Sequence, residues 1–162
     1  MAIEFHKKRA IWLLFTLAVI ILDYVTKQVA SSVLEYNQPV PVMPMFNWTL
    51  LHNYGAAFSF LSDQGGWQRW FFAGIAGVVS IGLVGWLLLG KEVSKWECLA
   101  IALVLGGALG NLYDRMAYGY VIDFIHVYYE VYHFPAFNLA DTAITIGAAL
   151  LVIDTLFITR RS

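Results

Sequence analysis

The chain has 162 residues, enough for one domain of ordinary size. Hydrophobic residues make up 60% of it and charged residues 13%, about half the roughly 25% charged share of soluble domains, so the bilayer is its natural solvent. A formal net charge of −1 with no basic stripe excludes nucleic acid as a partner, and the single cysteine, Cys98, excludes an intramolecular disulfide.

A membrane-spanning helix needs about 20 mostly apolar residues. The first such stretch is 10–29. Lys7, Lys8 and Arg9 before the apolar run 11–22 look like the opening of a cleavable signal peptide. Asp23 and Lys27, however, occupy the place of a bland cleavage region, and three more spans follow, so the segment is expected to stay as a span. Asp23 and Lys27 are four apart, acid first, the favourable order for a helical ion pair. They either snorkel together at the interface or border a groove. Lys27 and Ser31 share the same spacing and would suit a Ser–Lys dyad, but no second constraint supports it.

The connection 30–66 holds Pro39, Pro41 and Pro44 and then aromatic and β-branched residues at 46–50, which predict a short sheet at the membrane surface. The second span is 67–89 and the third 96–113, joined by a short turn at 90–95. Gly74, Gly77, Gly82 and Gly85 in the second span, Gly106 and Gly110 in the third and Gly147 in the fourth predict close helix packing. The connection 114–137 carries eight aromatics at 118–137: Tyr118, Tyr120, Phe124, Tyr128, Tyr129, Tyr132, Phe134 and Phe137. Rings with phenol hydroxyls favour the headgroup layer. The fourth span is 138–157. The expected fold is an all-α membrane protein, a single domain over 1–162, with four transmembrane helices and a small β-containing outward-facing loop region.

Positive residues orient such a bundle. Lys7, Lys8, Arg9, Lys91, Lys95, Arg160 and Arg161 fall on one side, while Lys27, Arg69 and Arg115 fall towards the other. That asymmetry puts both termini in the cytoplasm and the two long connections outside. Trp12, Trp86 and Trp96 at the inner ends, and Trp67 and Trp70 at the outer end, fit an interfacial belt.

Ionisable groups at membrane depth are costly and call for a reason. Here Asp23, Lys27, Asp114, Arg115, Asp123 and Asp141 gather at the outer end, with the polar Asn111 and Asn138 among them. Asp141 has a structural explanation as the third helical residue after an Asn138 N-cap, where the helix dipole favours an acid by roughly 0.3–1 kcal/mol. Asp123 lies in Val-Ile-Asp-Phe-Ile, and a lone carboxylate there would be unpaired against lipid. Two carboxyl groups sharing a proton resolve this, one acting as base towards water and the other as acid, which is the equipment for amide hydrolysis. The dipole favours charge on Asp141, and apolar flanks favour the proton on Asp123. No metal site is expected. His6, His52, His126 and His133 show no paired ligand spacing, and Asp123 with His126 would lack a third ligand.

Five segments together resemble the lipoprotein signal peptidase (signal peptidase II) family over nearly the whole chain. They are Asp23-Tyr-Val-Thr-Lys27, Asn53-Tyr-Gly-Ala-Ala-Phe58, Gly106-Gly-Ala-Leu-Gly-Asn-Leu-Tyr-Asp-Arg115, Val121-Ile-Asp-Phe124 and Phe137-Asn-Leu-Ala-Asp141. The resemblance implies an aspartic-type membrane endopeptidase. Its substrates would be diacylglyceryl-modified prolipoproteins, cut just before the lipidated cysteine. It implies Asp123 and Asp141 as the catalytic pair. Asp23, Asn53, Gly55, Gly107, Asn111, Arg115, Asn138 and Ala140 would shape or line the substrate site. It also implies no metal or organic cofactor, membrane lipid as surroundings, and a multi-pass protein of the bacterial cytoplasmic (inner) membrane with its site at the outer face. Arg115 would hold a lipid phosphate or a substrate carbonyl, or pair with Asp114 or Asp23. Two other functions share some features. A proton-coupled exporter would want an acid in mid-span, and a metal-dependent lipid transferase would want a denser carboxylate motif.

Overall fold

A computed structural model of the chain describes residues 7–55 and 66–158. A short 3-10 turn, Lys7–Ile11, leads into α1 (Trp12–Val33). Strands β1 (Val40–Met43) and β2 (Phe46–Asn53) follow, then α2 (Trp67–Leu89) and α3 (Lys95–Ala117). Strands β3 (Val121–Tyr129) and β4 (Tyr132–His133) precede α4 (Leu139–Ile153), which continues as a π-helical turn, Asp154–Ile158. All four predicted spans are present, at Lys8–Val33, Trp67–Leu89, Lys95–Ala117 and Leu139–Phe157. Two run further than the sequence indicated: α1 stays helical past Ser31, and α3 continues through Asp114 and Arg115.

The helix α3 is the post of the bundle. Of its apolar window 56% is buried, against 17–22% for the other three, so those three turn most of their surface to lipid. On α1 the buried residues are Thr16, Asp23, Lys27 and Ala30, which helical geometry places on one face. Leu14, Leu17, Ile21, Leu22, Val25 and Val29 are exposed on the remainder. The polar side chains therefore point inward and the apolar ones outward, as a lipid solvent demands. An apolar core of Leu83, Leu87, Cys98, Ile101 and Leu105 fills the other end of the bundle. There the Arg9 guanidinium donates to the carbonyls of Gly90 and Lys91, which places the start of α1 beside the α2–α3 turn. Arg160 and Arg161 lie outside the described residues.

Small residues mark close helix approaches only in part. A Cβ on Gly106 would meet Val19 of α1, one on Gly107 the Ala140 carbonyl of α4, one on Gly110 the Asp23 carboxylate, and one on Gly147 the Ala100 carbonyl. In α2 the expectation fails: Gly74, Gly77, Gly82 and Gly85 have open space where a side chain would go. That helix meets its neighbours through another face, with Gln68, Ala73, Ser80, Leu83 and Leu87 buried.

The two long connections build one antiparallel sheet in the order β1-β2-β3-β4. The sheet at 40–53 matches the expectation. For Val121–Tyr129 the sequence predicts only a place in the headgroup layer and names no strand, and the structure forms one there. Its apolar Val-Ile-Asp-Phe-Ile run is instead buried from Val121 to Phe124, which favours a strand with both faces covered.

Packing at the α3–α4 contact gives a test. Gly107→Ala forces the two helices apart and should destabilise the protein by about 1–3 kcal/mol. Gly82→Ala should stay within about 1 kcal/mol of the parent and lean towards stabilisation. Unfolding in detergent measures both, and equal losses would contradict the assigned packing.

Candidate active site

Three chain segments meet at the C-terminal end of α3. The register pairs Leu51 with Asp123 and Asn53 with Val121, so Asn53 and Asp123 lie diagonally across one sheet face. Asn53 Nδ2 donates to Asp123 Oδ2 at 3.1 Å. Ile125 also pairs with Phe137 in an antiparallel bridge, through N–H···O bonds of 2.9 and 3.0 Å. The chain therefore enters α4 directly beside β3. Asn138, the N-cap, is fully buried there, and its Nδ2 donates to Asp123 Oδ1 at 2.7 Å.

The capping box read from Asn138-x-x-Asp141 is present. Asp141 N donates to Asn138 Oδ1 at 2.9 Å, and Asn138 N donates to Asp141 Oδ2 at 3.2 Å. One residue thus holds both carboxyl groups, Asp123 through its amide and Asp141 through its backbone. Asn111 supplies a further bond, Nδ2 to Asp141 Oδ1 at 2.8 Å.

Behind this pair lies a buried charge cluster. Lys27, 1% exposed, places Nζ 2.7 Å from Asp23 Oδ2, 2.9 Å from Asp114 Oδ2 and 3.0 Å from Asn111 Oδ1. Asp23 Oδ1 accepts from Ala140 N at 2.9 Å, and Asp114 Oδ2 accepts from Ile122 N at 3.1 Å. Each acid therefore grips the backbone one residue before a member of the Asp123–Asp141 pair. The Asp23–Lys27 pair is formed as expected, but it is buried and does not snorkel. Ser31 is exposed, and Lys27 points away from it into this cluster.

The Asp123 side chain is 3% exposed. Burial, and next the negative charge of Asp141, raise its carboxyl from 3.8 to about 7, while hydrogen bonds from Asn53 and Asn138 oppose the rise. The expectation from its apolar flanks therefore holds. Near neutral pH Asp123 exchanges a proton beside a second carboxyl group, which is acid–base equipment.

A cavity of about 470 Å³ opens at Asp141. Its polar end is Asn53, Asn111, Arg115 and Asp141, and its apolar wall includes Phe134, Pro135, Phe137, Ile144 and Ile146. Asp123 stands behind Asn53 and Asn138. Of the other residues predicted to shape or line the site, Gly55 joins Asn53 Oδ1 through its N–H and accepts from Arg115 Nη2 at 3.2 Å. Gly107, Ala140 and Asp23 sit behind the wall, where Gly107 admits the Ala140 carbonyl and Asp23 holds the Ala140 N–H. The Ala56–Phe58 part of the second motif lies outside the described residues. Arg115 donates to the Gly55 and Asn111 carbonyls and stacks over Phe72; among the described residues no ion pair joins it to Asp114 or Asp23.

Sequence reasoning missed Asp114 as the second acid on Lys27, and Phe134–Phe137 as cavity wall. Both depend on long-range register, which leaves no local signal. His126 faces Thr49 through Nδ1 at 3.2 Å and His133 through Nε2 at 3.1 Å, so its ring is engaged away from Asp123.

The chain is similar to known proteins over nearly its whole length. The family model for signal peptidase (SPase) II matches residues 15–157. Proteins named lipoprotein signal peptidase are similar to nearly the whole chain. The one from Acinetobacter baumannii is 59% identical over 158 residues, 98% of this chain and 90% of that protein. The one from Pseudomonas aeruginosa is 55% identical over 145 residues, 88% and 86% of the two. A solved structure described as a bacterial membrane enzyme at 2.3 Å resolution has a TM-score of 0.82 and 33% identity, covering 100% of this chain and 96% of that one.

The raised Asp123 carboxyl has a consequence for stability. Between its ordinary value of 3.8 and about 7 the folded protein holds a proton that the unfolded chain has lost. This group therefore makes the protein less stable as pH rises through that window, with the full penalty present above about 7. Unfolding in detergent at about pH 5 and about pH 8 should show the parent losing more stability on going to the higher pH than Asp123→Asn does. Identical losses would contradict the assignment.

Proposed function

The chain belongs to the signal peptidase II family of aspartic-type membrane peptidases, and we propose that it removes the signal peptide from diacylglyceryl-modified prolipoproteins by cleaving before the lipidated cysteine. Asp123 and Asp141 are the catalytic pair in this reading. The observation that carries it is Asn138, which bonds both carboxyl groups, one of them lining a cavity with a polar end and an apolar wall.

The chemistry is one amide hydrolysis. Asp141 takes a proton from a water as the water oxygen attacks the scissile carbonyl carbon, and Asp123 gives its proton to the carbonyl oxygen. The tetrahedral intermediate collapses as the C–N bond breaks and a proton passes to the leaving nitrogen. The products are a carboxyl group on the signal peptide and a free amine on the lipidated cysteine. Only carboxyl groups and water take part, so the step needs no metal or organic cofactor. Asn53, Asn111 and Arg115 at the polar end present donors to a peptide backbone, with Arg115 held by the Gly55 carbonyl and directed at substrate carbonyls. The apolar wall from Phe134 to Ile146 suits acyl chains and an apolar signal peptide.

The protein is multi-pass in a bacterial membrane. In the proposed orientation both termini are cytoplasmic and the site lies at the outer face of the cytoplasmic membrane. The positive charges at the α1 start and the α2–α3 turn support this, being at the end of the bundle opposite the acid pair.

Purified enzyme should cleave a lipidated prolipoprotein and leave its unlipidated form intact. Asp123→Asn and Asp141→Asn should each lower kcat by at least about 1,000-fold, and a chelator should leave the rate unchanged. In the parent, kcat should fall as pH rises above about 7, because Asp123 then loses the proton it donates. Cleavage by either Asp→Asn variant at the parent rate would overturn the assignment.

A further inference from the structure

We propose that Lys27 is a positioning residue for Asp141, acting through the side-chain orientation of Asn111; the inference rests on the catalytic reading of Asp123 and Asp141. An amide side chain has an oxygen and a nitrogen that can exchange places, and its neighbours decide which way it faces. Lys27 is an ammonium with three donors and no acceptor, and its three short contacts are Asp23 Oδ2, Asp114 Oδ2 and Asn111 Oδ1. The Asn111 atom facing it must be the oxygen. Asn138 Nδ2 also lies 3.2 Å from this oxygen, but its two hydrogens are shared with Asp123 Oδ1 at 2.7 Å and the Ile122 carbonyl at 3.2 Å, so the ammonium is the stronger constraint.

With its oxygen fixed, Asn111 has its NH2 group facing Asp141 Oδ1, 2.8 Å away. The orientation of Asp141 is then set from both sides, Oδ1 by Asn111 and Oδ2 by the Asn138 N–H. Lys27 has no contact with Asp141 and lies behind the cavity wall. Its effect on the reaction passes through one rotatable amide. Without the ammonium, only the longer Asn138 contact at 3.2 Å opposes a turn of the Asn111 oxygen towards Asp141, and such a turn sets two acceptors against each other where a donor stood.

Removing Lys27 alone would leave two buried acids without their cation. The test therefore uses Lys27→Met with Asp114→Asn, which keeps the formal charge of the cluster at −1 and leaves Asp23 on Ala140. The double variant should lose about 100-fold in kcat with KM for the lipidated substrate within about twofold, the pattern of a misplaced catalytic group. Lys27→Arg, which keeps donors on Asn111, should recover a large part of the rate. A loss confined to the yield of folded protein, with kcat of the folded fraction unchanged, would overturn the proposal.

A second measurement covers a double variant that does not fold. In the parent labelled with 15N-asparagine, the Asn111 side-chain amide, assigned by its loss in Asn111→Ser, should shift on Asp141→Asn. No shift would mean that the NH2 faces elsewhere and would sink the proposal. An active Asp141→Asn enzyme would instead defeat the catalytic reading, so the two failures are distinct.

Discussion

A single ammonium buried between two carboxylates organises the end of the bundle that carries Asp123 and Asp141. Lys27 enters from α1, Asp114 comes from α3, and Asp23 sits one turn before Lys27 on its own helix. Buried ion pairs are poor contributors to stability in water, because desolvation offsets most of the attraction. In a bilayer the alternative is worse, since an unpaired charge would face lipid. Two acids and one base leave a formal charge of −1, and the backbone N–H groups of Ala140 and Ile122 complete the carboxylate hydrogen bonding. The cluster holds the chain just before Asp123 and just before Asp141.

The approach of the two acids is a matter of topology as much as charge. Asp123 and Asp141 are separated by a hairpin and a turn, and the bridge between Ile125 and Phe137 folds that segment back on itself. Gly107 then lets α4 sit against α3 at Ala140. Because the sheet covers one side and α3 the other, Asp123 is nearly sealed while Asp141 lines the cavity. Burial raises the Asp123 carboxyl, which is why the proposed mechanism gives Asp123 the part of the acid.

Much of this was legible in the sequence, for reasons that differ from residue to residue. The spans follow from length and hydropathy alone, since no other solvent suits 20 apolar residues in a row. The Asn138–Asp141 capping box follows from local spacing. The same rule, applied to Ser94-x-x-Glu97, identifies the capping box that starts α3, which the reading passed over. The strand at Val121–Tyr129 was not legible, because its partners lie far earlier in the chain, in β2, for example Asn47 beside His126, and a short apolar run fits several structures. The glycines of α2 misled, since a small residue permits close packing without requiring it.

The account stands or falls on which carboxyl group holds the proton near neutral pH. Infrared spectra of the detergent-solubilised protein at about pH 6 should show a protonated-carboxyl band that disappears in Asp123→Asn and persists, shifted, in Asp141→Asn. A band lost with Asp141→Asn and untouched by Asp123→Asn would contradict it.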